Sequence, residues 1–342
     1  MNPRLNVLIA SYLEPELVEE IRRRVPEVEV IFRPDLLYTP RFHADHTTLP
    51  SRTHEQDKEW VSLLGKADVL FDFGVTHVQE LPEIAPHVKW IQATSAGIGQ
   101  FVKKMGYADR TKWIFTTASG IHGRPLAEFV IMSMLVFVKD LFLIQEQQAS
   151  RKWQQYSGKE LSDYTLGIIG LGKIGREIAK RAKSFDMHVV GDRRDPKEPI
   201  PFVDEVYGPE DLSMVLKQSN FLCISVPHTM ETAGLIGEKE LAMLPKGAVL
   251  INISRGAVVD EAALIRSLQT GHLGGASLDV FAQEPLPAAS PLWSIPRVIV
   301  SPHSASTNAN ENKRLTELFI ENLQHYLKGE PLRNVLNVKK LY

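Results

Sequence analysis

The stretch LGIIGLGKIG at residues 166–175 decides how this chain is interpreted. Its apolar start predicts a β-strand, the glycines follow the pattern G-x-G-x-x-G, and an amphipathic helix is predicted from Arg176 to Ser184. This order of strand, loop and helix is typical of dinucleotide-binding sites, where loop amides and the helix N-terminus hold a pyrophosphate. We therefore predict that the whole loop contacts a cofactor: Gly170, Leu171, Gly172, Lys173, Ile174 and Gly175.

Alternating apolar strands and helices continue on both sides of this stretch. The rhythm predicts an α/β fold with two Rossmann-like domains, each built on a parallel sheet. We expect the dinucleotide-binding domain at 119–305. The substrate domain is predicted to be discontinuous and flavodoxin-like, formed by 1–118 and 306–342, because an amphipathic helix at 310–328 follows the second series.

Two segments are harder to interpret. Residues 34–58 are predicted to form a long loop that leads into a helix near Ser62, because the apolar periodicity is lost among proline and charged residues. A helix is predicted from Arg124 to about Ser150, and its apolarity favours packing between domains or between subunits. We expect Trp153 and Tyr156, just after this helix, to lie in the core; the alternative is that they reach a pocket of a neighbouring subunit.

Composition excludes several classes of partner. The 342 residues contain 39 Lys and Arg against 41 Asp and Glu, so no basic field is present for a nucleic acid or a membrane surface. The apolar window 129–138 is shorter than the ~20 residues of a membrane span. A single cysteine, Cys223, cannot form an intrachain disulfide and is expected to be buried and inert. This favours a reducing compartment, and we expect the cytoplasm. His43 and His46 are too few ligands for a zinc site, so we expect no metal.

The end of the strand after the glycine loop should contact the adenosine ribose of a dinucleotide. Here Asp192 is followed by Arg193 and Arg194. An aspartate favours NAD through the ribose hydroxyls, whereas arginines favour the 2′-phosphate of NADP. A solvated charged loop is the structural alternative.

Three further predicted strands end in residues that suit catalysis. Arg255, Glu284 and His303 each follow a different strand. Singly, each could be structural: Arg255 could pair with Asp260 or Glu261, for example. Because the carboxyl ends of parallel strands line one crevice, we expect a cation, an acid and a proton donor to meet there.

The motifs together resemble the D-isomer-specific 2-hydroxyacid dehydrogenase family. The resemblance is carried by the glycine loop, by NISRG at 252–256, by LDVF at 278–281 with Glu284-Pro285, and by SPH at 301–303. It implies that Arg255 binds and polarises a 2-oxo acid, that His303 protonates its carbonyl oxygen, and that Glu284 orients His303.

The resemblance also implies further contacts around the ligands. It places Gly74 and a loop of closely spaced amides near the substrate, and strand-end residues near the dinucleotide. Expected substrate contacts are Gly74, Ser95, Ala96, Gly97, Arg255 and His303; expected cofactor contacts beyond the loop are Arg193, Arg194, Pro227, His228, Ile253, Ser254 and Asp279.

One departure from the family bears on the cofactor. In its NAD-preferring members an acidic residue falls where Arg193 stands here, and Asp192 comes one position early. A shift of one residue turns a strand side chain to the other face, so Asp192 does not replace that acid. We therefore expect NADP(H) to be preferred over NAD(H).

These inferences predict an NAD(P)-dependent enzyme that reduces a small 2-oxo acid, such as glyoxylate or hydroxypyruvate, to a D-2-hydroxy acid. A homodimer formed through the long apolar helix is expected. The alternative is a dinucleotide-sensing module that acts through protein partners, like the corepressors that share this architecture.

Overall fold

Two sheets of parallel strands organise the chain, one in each of two units. The computed structural model describes residues 4–196 and 198–341. One unit extends to His122 and resumes at Thr307, and the other spans Gly123–Ser306. The predicted α/β fold with two parallel sheets is confirmed.

The first unit contains a five-stranded sheet with the order β2-β1-β3-β4-β5. All its strand pairs are parallel, and the order is that of flavodoxin-like folds. Its strands are β1 (Leu5–Ile9), β2 (Val28–Ile31), β3 (Val69–Phe71), β4 (Trp90–Gln92) and β5 (Ile114–Thr116). Its helices are α1 (Pro15–Arg24), α2 (His54–Leu64), α3 (Leu81–Ile84), α4 (Gly99–Lys104), α5 (Tyr107–Arg110) and the C-terminal α12 (Glu311–Lys328).

Apolar side chains cover both faces of this sheet. Val7, Leu8 and Ile9 of β1 are all fully buried, which explains why these three successive residues are apolar without alternation. On one face, Val7 and Ile9 belong to a cluster that also contains Phe319 of α12. That cluster makes the C-terminal helix part of the first unit.

The second unit contains a seven-stranded sheet with the order β12-β11-β10-β9-β6-β7-β8. All pairs are parallel, and the order extends that of dinucleotide-binding Rossmann folds. Its strands are β6 (Thr165–Ile169), β7 (His188–Asp192), β8 (Glu205–Tyr207), β9 (Phe221–Ile224), β10 (Val249–Asn252), β11 (Gly275–Leu278) and β12 (Val298–Val300). Its helices are α6 (Gly123–Val138), α7 (Leu141–Ala149), α8 (Lys173–Ala182), α9 (Leu212–Gln218), α10 (Glu238–Met243) and α11 (Glu261–Gln269).

The predicted continuous helix from Arg124 to Ser150 is wrong, because the structure divides it into α6 and α7. Asp140 lies between the two helices with a left-handed φ of 49°. The Arg297 guanidinium donates a 2.8 Å hydrogen bond to the Asp140 carboxylate, which holds the break in place. None of the helices within the described ranges has the length and apolarity to span a membrane.

The aromatic pair after α7 is also predicted wrongly. Trp153 is 96% exposed and Tyr156 is 43% exposed, so neither is a core residue. The Tyr156 hydroxyl donates to the Lys139 carbonyl at 2.7 Å. The segment thus returns to the end of α6 and presents Trp153 to solvent.

The predicted loop at 34–58 ends earlier than expected. Helix α2 begins at His54, where Thr53 and Gln56 form a capping box. Before it, the buried Asp45 carboxylate accepts hydrogen bonds from Arg41, Thr47 and Thr48. Although burial opposes the charge, these donors hold the pKa of Asp45 well below its usual range. The segment is therefore an ordered loop.

Candidate active site

The glycine loop connects β6 to α8 as predicted. Gly170 has a φ of +97°, and a Cβ there would lie 2.7 Å from the Val226 side chain, so only glycine fits this turn. At Gly172 a Cβ would meet nothing within 4 Å. The open backbone at Gly172, next to the N-terminus of α8, suits a pyrophosphate, so the residues fit a dinucleotide.

Asp192, at the end of β7, is turned toward this loop. The Gly170 amide donates a 2.7 Å hydrogen bond to the Asp192 carboxylate, and the Leu171 amide donates to the Asp192 carbonyl at 2.9 Å. The residue is 9% exposed, and burial raises the pKa of its carboxyl. Asp192 is thus bound to the chain's own loop.

The two arginines that follow Asp192 differ in their contacts. The Arg194 guanidinium lies 3.4 Å from the Glu231 carboxylate, and both side chains are largely exposed. The Arg193 guanidinium has neither a hydrogen bond nor an ion pair with any of the described residues. At the end of β7, Arg193 is therefore a cation that a ligand phosphate could engage.

Arg255, Glu284 and His303 follow β10, β11 and β12, which are neighbours in the sheet. His303 Nδ1 lies 2.7 Å from Glu284 Oε2, and the Phe281 amide donates to the other carboxylate oxygen at 3.0 Å. Because a carboxylate accepts hydrogen bonds, Nδ1 carries a proton, and Nε2 is the nitrogen that can deliver one to a substrate.

A buried aspartate holds the turn that carries His303. Asp279 Oδ1 accepts hydrogen bonds from the Ser301 hydroxyl at 2.5 Å, the Ser304 amide at 2.8 Å and the Ala305 amide at 3.0 Å. Burial raises the pKa of the Asp279 carboxyl. His303 has a φ of 54°, a region that residues other than glycine seldom adopt, so the turn needs this anchoring. From the sequence, Asp279 is predicted to be either a cofactor contact or a buried, hydrogen-bonded structural acid, and these hydrogen bonds are those of a structural acid.

The Arg255 guanidinium lies within the field of two carboxylates. Burial lowers the pKa of Arg255, while the charges of Glu284 and Asp279 oppose that effect. Its predicted structural partners are engaged elsewhere: Asp260 caps α11, and Glu261 accepts the Ala282 amide at 2.9 Å. Arg255 is therefore not a simple surface ion pair.

The other predicted cofactor contacts follow β9, which pairs with β6, and β10, which is the next strand beyond β9. The Pro227 carbonyl accepts the Thr232 hydroxyl at 2.6 Å, and His228 follows it in the same loop. Ile253 and Ser254 are buried just after β10. The sheet order thus brings these loops beside the glycine loop.

The predicted substrate contacts Gly74, Ser95, Ala96 and Gly97 all lie in the first unit. Gly74 follows β3 and has a φ of +67°. After β4, the Thr94 hydroxyl donates to the Asp72 carboxylate at 3.0 Å, and the Gly97 amide donates to the Ser95 hydroxyl at 3.3 Å. This compact turn has the closely spaced amides that suit an anion.

The two remaining chemical candidates are engaged in the fold. His46 lies 2.8 Å from the Ser11 hydroxyl and 2.9 Å from the Asn312 side-chain oxygen. Across residues 4–196 and 198–341, no three His, Cys, Asp or Glu side chains are grouped to hold a metal ion. Cys223 is fully buried, and burial raises the pKa of its thiol.

Comparisons with known proteins agree with this geometry. Residues 131–305 match the family described as D-isomer specific 2-hydroxyacid dehydrogenase, NAD binding domain. A glyoxylate reductase from Thermofilum pendens is 36% identical over 266 residues, which cover 73% of this chain and 75% of that protein.

Solved structures are similar over nearly the whole chain. A D-isomer specific 2-hydroxyacid dehydrogenase family protein from Aeromonas salmonicida has a TM-score of 0.82 at 28% identity, covering 98% of this chain and 100% of that one. An NADPH-dependent glyoxylate/hydroxypyruvate reductase from Sinorhizobium meliloti, solved with NADP and sulfate, has a TM-score of 0.79 at 25% identity. That match covers 99% of this chain and 100% of the other.

Proposed function

This chain belongs to the D-isomer specific 2-hydroxyacid dehydrogenase family and is an NAD(P)-dependent enzyme, and from that premise we propose that it reduces glyoxylate or hydroxypyruvate with His303 as proton donor. Hydroxypyruvate then gives the D-2-hydroxy acid, whereas the 2-hydroxy acid formed from glyoxylate is achiral. The observation that carries the proposal is the 2.7 Å contact between His303 Nδ1 and Glu284 Oε2, which supports a proton on the opposite ring nitrogen.

In the proposed reaction each residue has a separate task. Arg255 binds the oxo acid through its guanidinium and polarises the carbonyl group. When bound, a reduced nicotinamide supplies the hydride. His303 gives its Nε2 proton to the carbonyl oxygen, and Glu284 stabilises the imidazolium before that transfer.

The turn after β4 is proposed to bind the substrate carboxylate. Amides at Ser95, Ala96 and Gly97 are close together in sequence, and Thr94 is tied to Asp72 beneath them. A nest of amides binds a carboxylate without a further cation. We assign Gly74 to the same substrate domain, with the predicted boundaries 1–118 and 306–342, and 119–305 to the dinucleotide-binding domain.

The proton-donor assignment is tested by kinetics of a His303→Ala variant with glyoxylate. Loss of a positioned general acid is expected to lower kcat by about 10²- to 10⁴-fold while the Kd for the cofactor changes little. His188→Ala is the matched control, because His188 is an exposed imidazole that pairs with Asp204 and Glu205. Equal activities of the two variants would remove His303 from the mechanism.

NADP(H) is the proposed cofactor, in preference to NAD(H). The supporting observation is the Arg193 guanidinium at the end of β7, which has no hydrogen bond or ion pair with the described residues, together with an Asp192 that is bound to the glycine loop. An Arg193→Ser variant should weaken NADPH binding by about tenfold or more and leave NADH binding nearly unchanged. A parallel loss of both cofactors would contradict this preference.

A homodimer through α6 and α7 is the proposed assembly. These helices and the end of α8 expose a contiguous apolar face that includes Met132, Leu141, Ile144 and Phe185. Such patches mark interfaces in proteins of this size. Sedimentation equilibrium should give twice the chain mass for the wild type and the chain mass for Ile144→Glu; a monomeric wild type would reject the dimer. The free thiol of Cys223 supports a reducing compartment, and we place the enzyme in the cytoplasm.

A further inference from the structure

The side chain of Asp192 has a position that the proposed cofactor chemistry does not use. An acidic residue at the end of the second strand of a Rossmann fold is expected to accept hydrogen bonds from the ribose hydroxyls of a dinucleotide. Asp192 is the last residue of β7, paired with Ile169, the last residue of β6. Asp192 is therefore at the edge of the sheet where a dinucleotide ribose is expected, and its hydrogen bonds indicate its role.

Those contacts are with the first turn of the glycine loop. The Gly170 amide donates to Asp192 Oδ1 at 2.7 Å, and the Leu171 amide donates to the Asp192 carbonyl oxygen at 2.9 Å. One residue thereby fixes two successive amides of the loop. A hydrogen bond from an amide to a carboxylate is charge-assisted and roughly twice as strong as a neutral one.

The turn at Gly170 needs a contact from another part of the chain to fix its conformation. Gly170 has a left-handed φ of +97°, and without Asp192 its partly buried amide would lose this acceptor. A glycine loop gains no rigidity from side chains and loses more conformational freedom on ordering than other segments. The Asp192 carboxylate, which is 9% exposed, accepts the Gly170 amide and so restrains the loop.

We infer that Asp192 is a positioning residue that orders the glycine loop through the Gly170 amide, and that it does not select between NAD(H) and NADP(H). The inference rests on the proposed function in so far as the ordered loop binds a dinucleotide. Arg193 makes that selection instead. It is the next residue, so its side chain lies on the opposite face from that of Asp192.

Two substitutions at this position separate positioning from ribose recognition. Asp192→Asn keeps an oxygen that can accept the Gly170 amide, whereas Asp192→Ala removes the acceptor. The dissociation constants of NADPH and NADH are measured directly by nicotinamide fluorescence, without turnover. Asp211→Ala is the control, since Asp211 is an exposed carboxylate that lies before α9, away from the loop.

The positioning role predicts parallel effects on the two cofactors. Asp192→Ala should weaken NADPH and NADH by the same factor, about tenfold, which corresponds to ~1.4 kcal/mol. Asp192→Asn should stay within about threefold of the wild type for both, which is ~0.7 kcal/mol. A loss confined to NADH in either variant would show that Asp192 reads the ribose and would overturn the inference.

A second readout needs no cofactor. Hydrogen exchange of the amides at 169–172 should accelerate about tenfold in Asp192→Ala, because the Gly170 amide loses its acceptor. Unchanged exchange in a folded variant would overturn the inference. If Asp192→Ala does not fold, Asp192→Asn decides, with nearly unchanged exchange expected and a large acceleration contradicting the role. A wild type that binds neither dinucleotide would refute the proposed function, and exchange would still test the loop contact.

Discussion

Replacing Glu284 by glutamine tests how much the carboxylate contributes to proton transfer. The Phe281 amide donates to one carboxylate oxygen at 3.0 Å, and a glutamine oxygen preserves that bond. The glutamine NH₂ then faces His303 Nδ1, which has to accept a hydrogen bond where it formerly donated one. The imidazole is thereby held in its neutral form with the proton on Nε2.

The expected loss follows from the contact that is removed. A hydrogen bond to a charged group contributes about 1.5 to 3 kcal/mol. Because the side chains of His303 and Glu284 are 42% and 35% exposed, solvent screening reduces this to about 1 to 2 kcal/mol. At 1.36 kcal/mol per tenfold change in rate, kcat should fall by about 5- to 30-fold.

The assay is steady-state reduction of glyoxylate at saturating NADPH over the neutral and alkaline range. The kcat of Glu284→Gln should stay below that of the wild type throughout this range, because the variant lacks the carboxylate that accepts the Nδ1 proton of His303. Glu261→Gln is the matched control: Glu261 accepts the Ala282 amide in the same turn but makes no contact with His303. Equal kcat values for the two variants at every pH would refute the reasoning.

The remaining predictions concern residues that stabilise the fold or the turn that carries His303. Asp45→Asn should lower the free energy of unfolding by about 3 kcal/mol at neutral pH, since it removes a buried charge with several donors. The pKa of Asp45 is depressed in the folded state, so this stability is present above the unfolded value of ~3.9 and is lost as the pH falls. In urea titrations wild type and variant should therefore converge in acid, and a constant difference would contradict the linkage. Gly256→Ala should destabilise the second unit by about 3 kcal/mol, because its Cβ would lie 1.9 Å from the Phe281 carbonyl carbon, whereas Gly158→Ala should be nearly neutral; equal melting temperatures would oppose this. Ser301→Ala should lower kcat about three- to tenfold with the NADPH Kd unchanged, since Asp279 loses one of its donors; a change in Kd alone would indicate a cofactor role instead.

The parts of the fold that the sequence predicts well are those with local signals. The strand before Gly170 and the helix after it are recognisable because a short apolar run changes to helical periodicity at the glycines. Arg255, Glu284 and His303 are predictable as a group because parallel strands place their carboxyl ends at one edge. In each case a short stretch determines the backbone.

Other features depend on contacts distant in sequence. The break at Asp140 is held by Arg297, more than 150 residues away, and no pattern around 139–140 specifies that partner. The exposure of Trp153 follows from the path of the chain after α7. The start of α2 was accessible from sequence, because Thr53 and Gln56 have the spacing of a capping box.

Asp192 shows most clearly which features the sequence alone does not predict. Strand parity predicts that it does not take the place of the family's ribose partner one position on, but parity does not say what the side chain contacts. Only the folded loop places the Gly170 amide within 2.7 Å of its carboxylate. A side chain's role here is set by a turn that precedes it by more than twenty residues.

We propose that this enzyme reduces small 2-oxo acids with NADPH. Initial rates with glyoxylate and hydroxypyruvate, each with NADPH and with NADH, test it most directly, together with the configuration of the hydroxy acid formed from hydroxypyruvate. We expect turnover of both acids, a higher kcat/KM with NADPH, and the D product. Binding of NADPH without turnover of any oxo acid in a broad panel would contradict the claim and favour a dinucleotide-sensing protein.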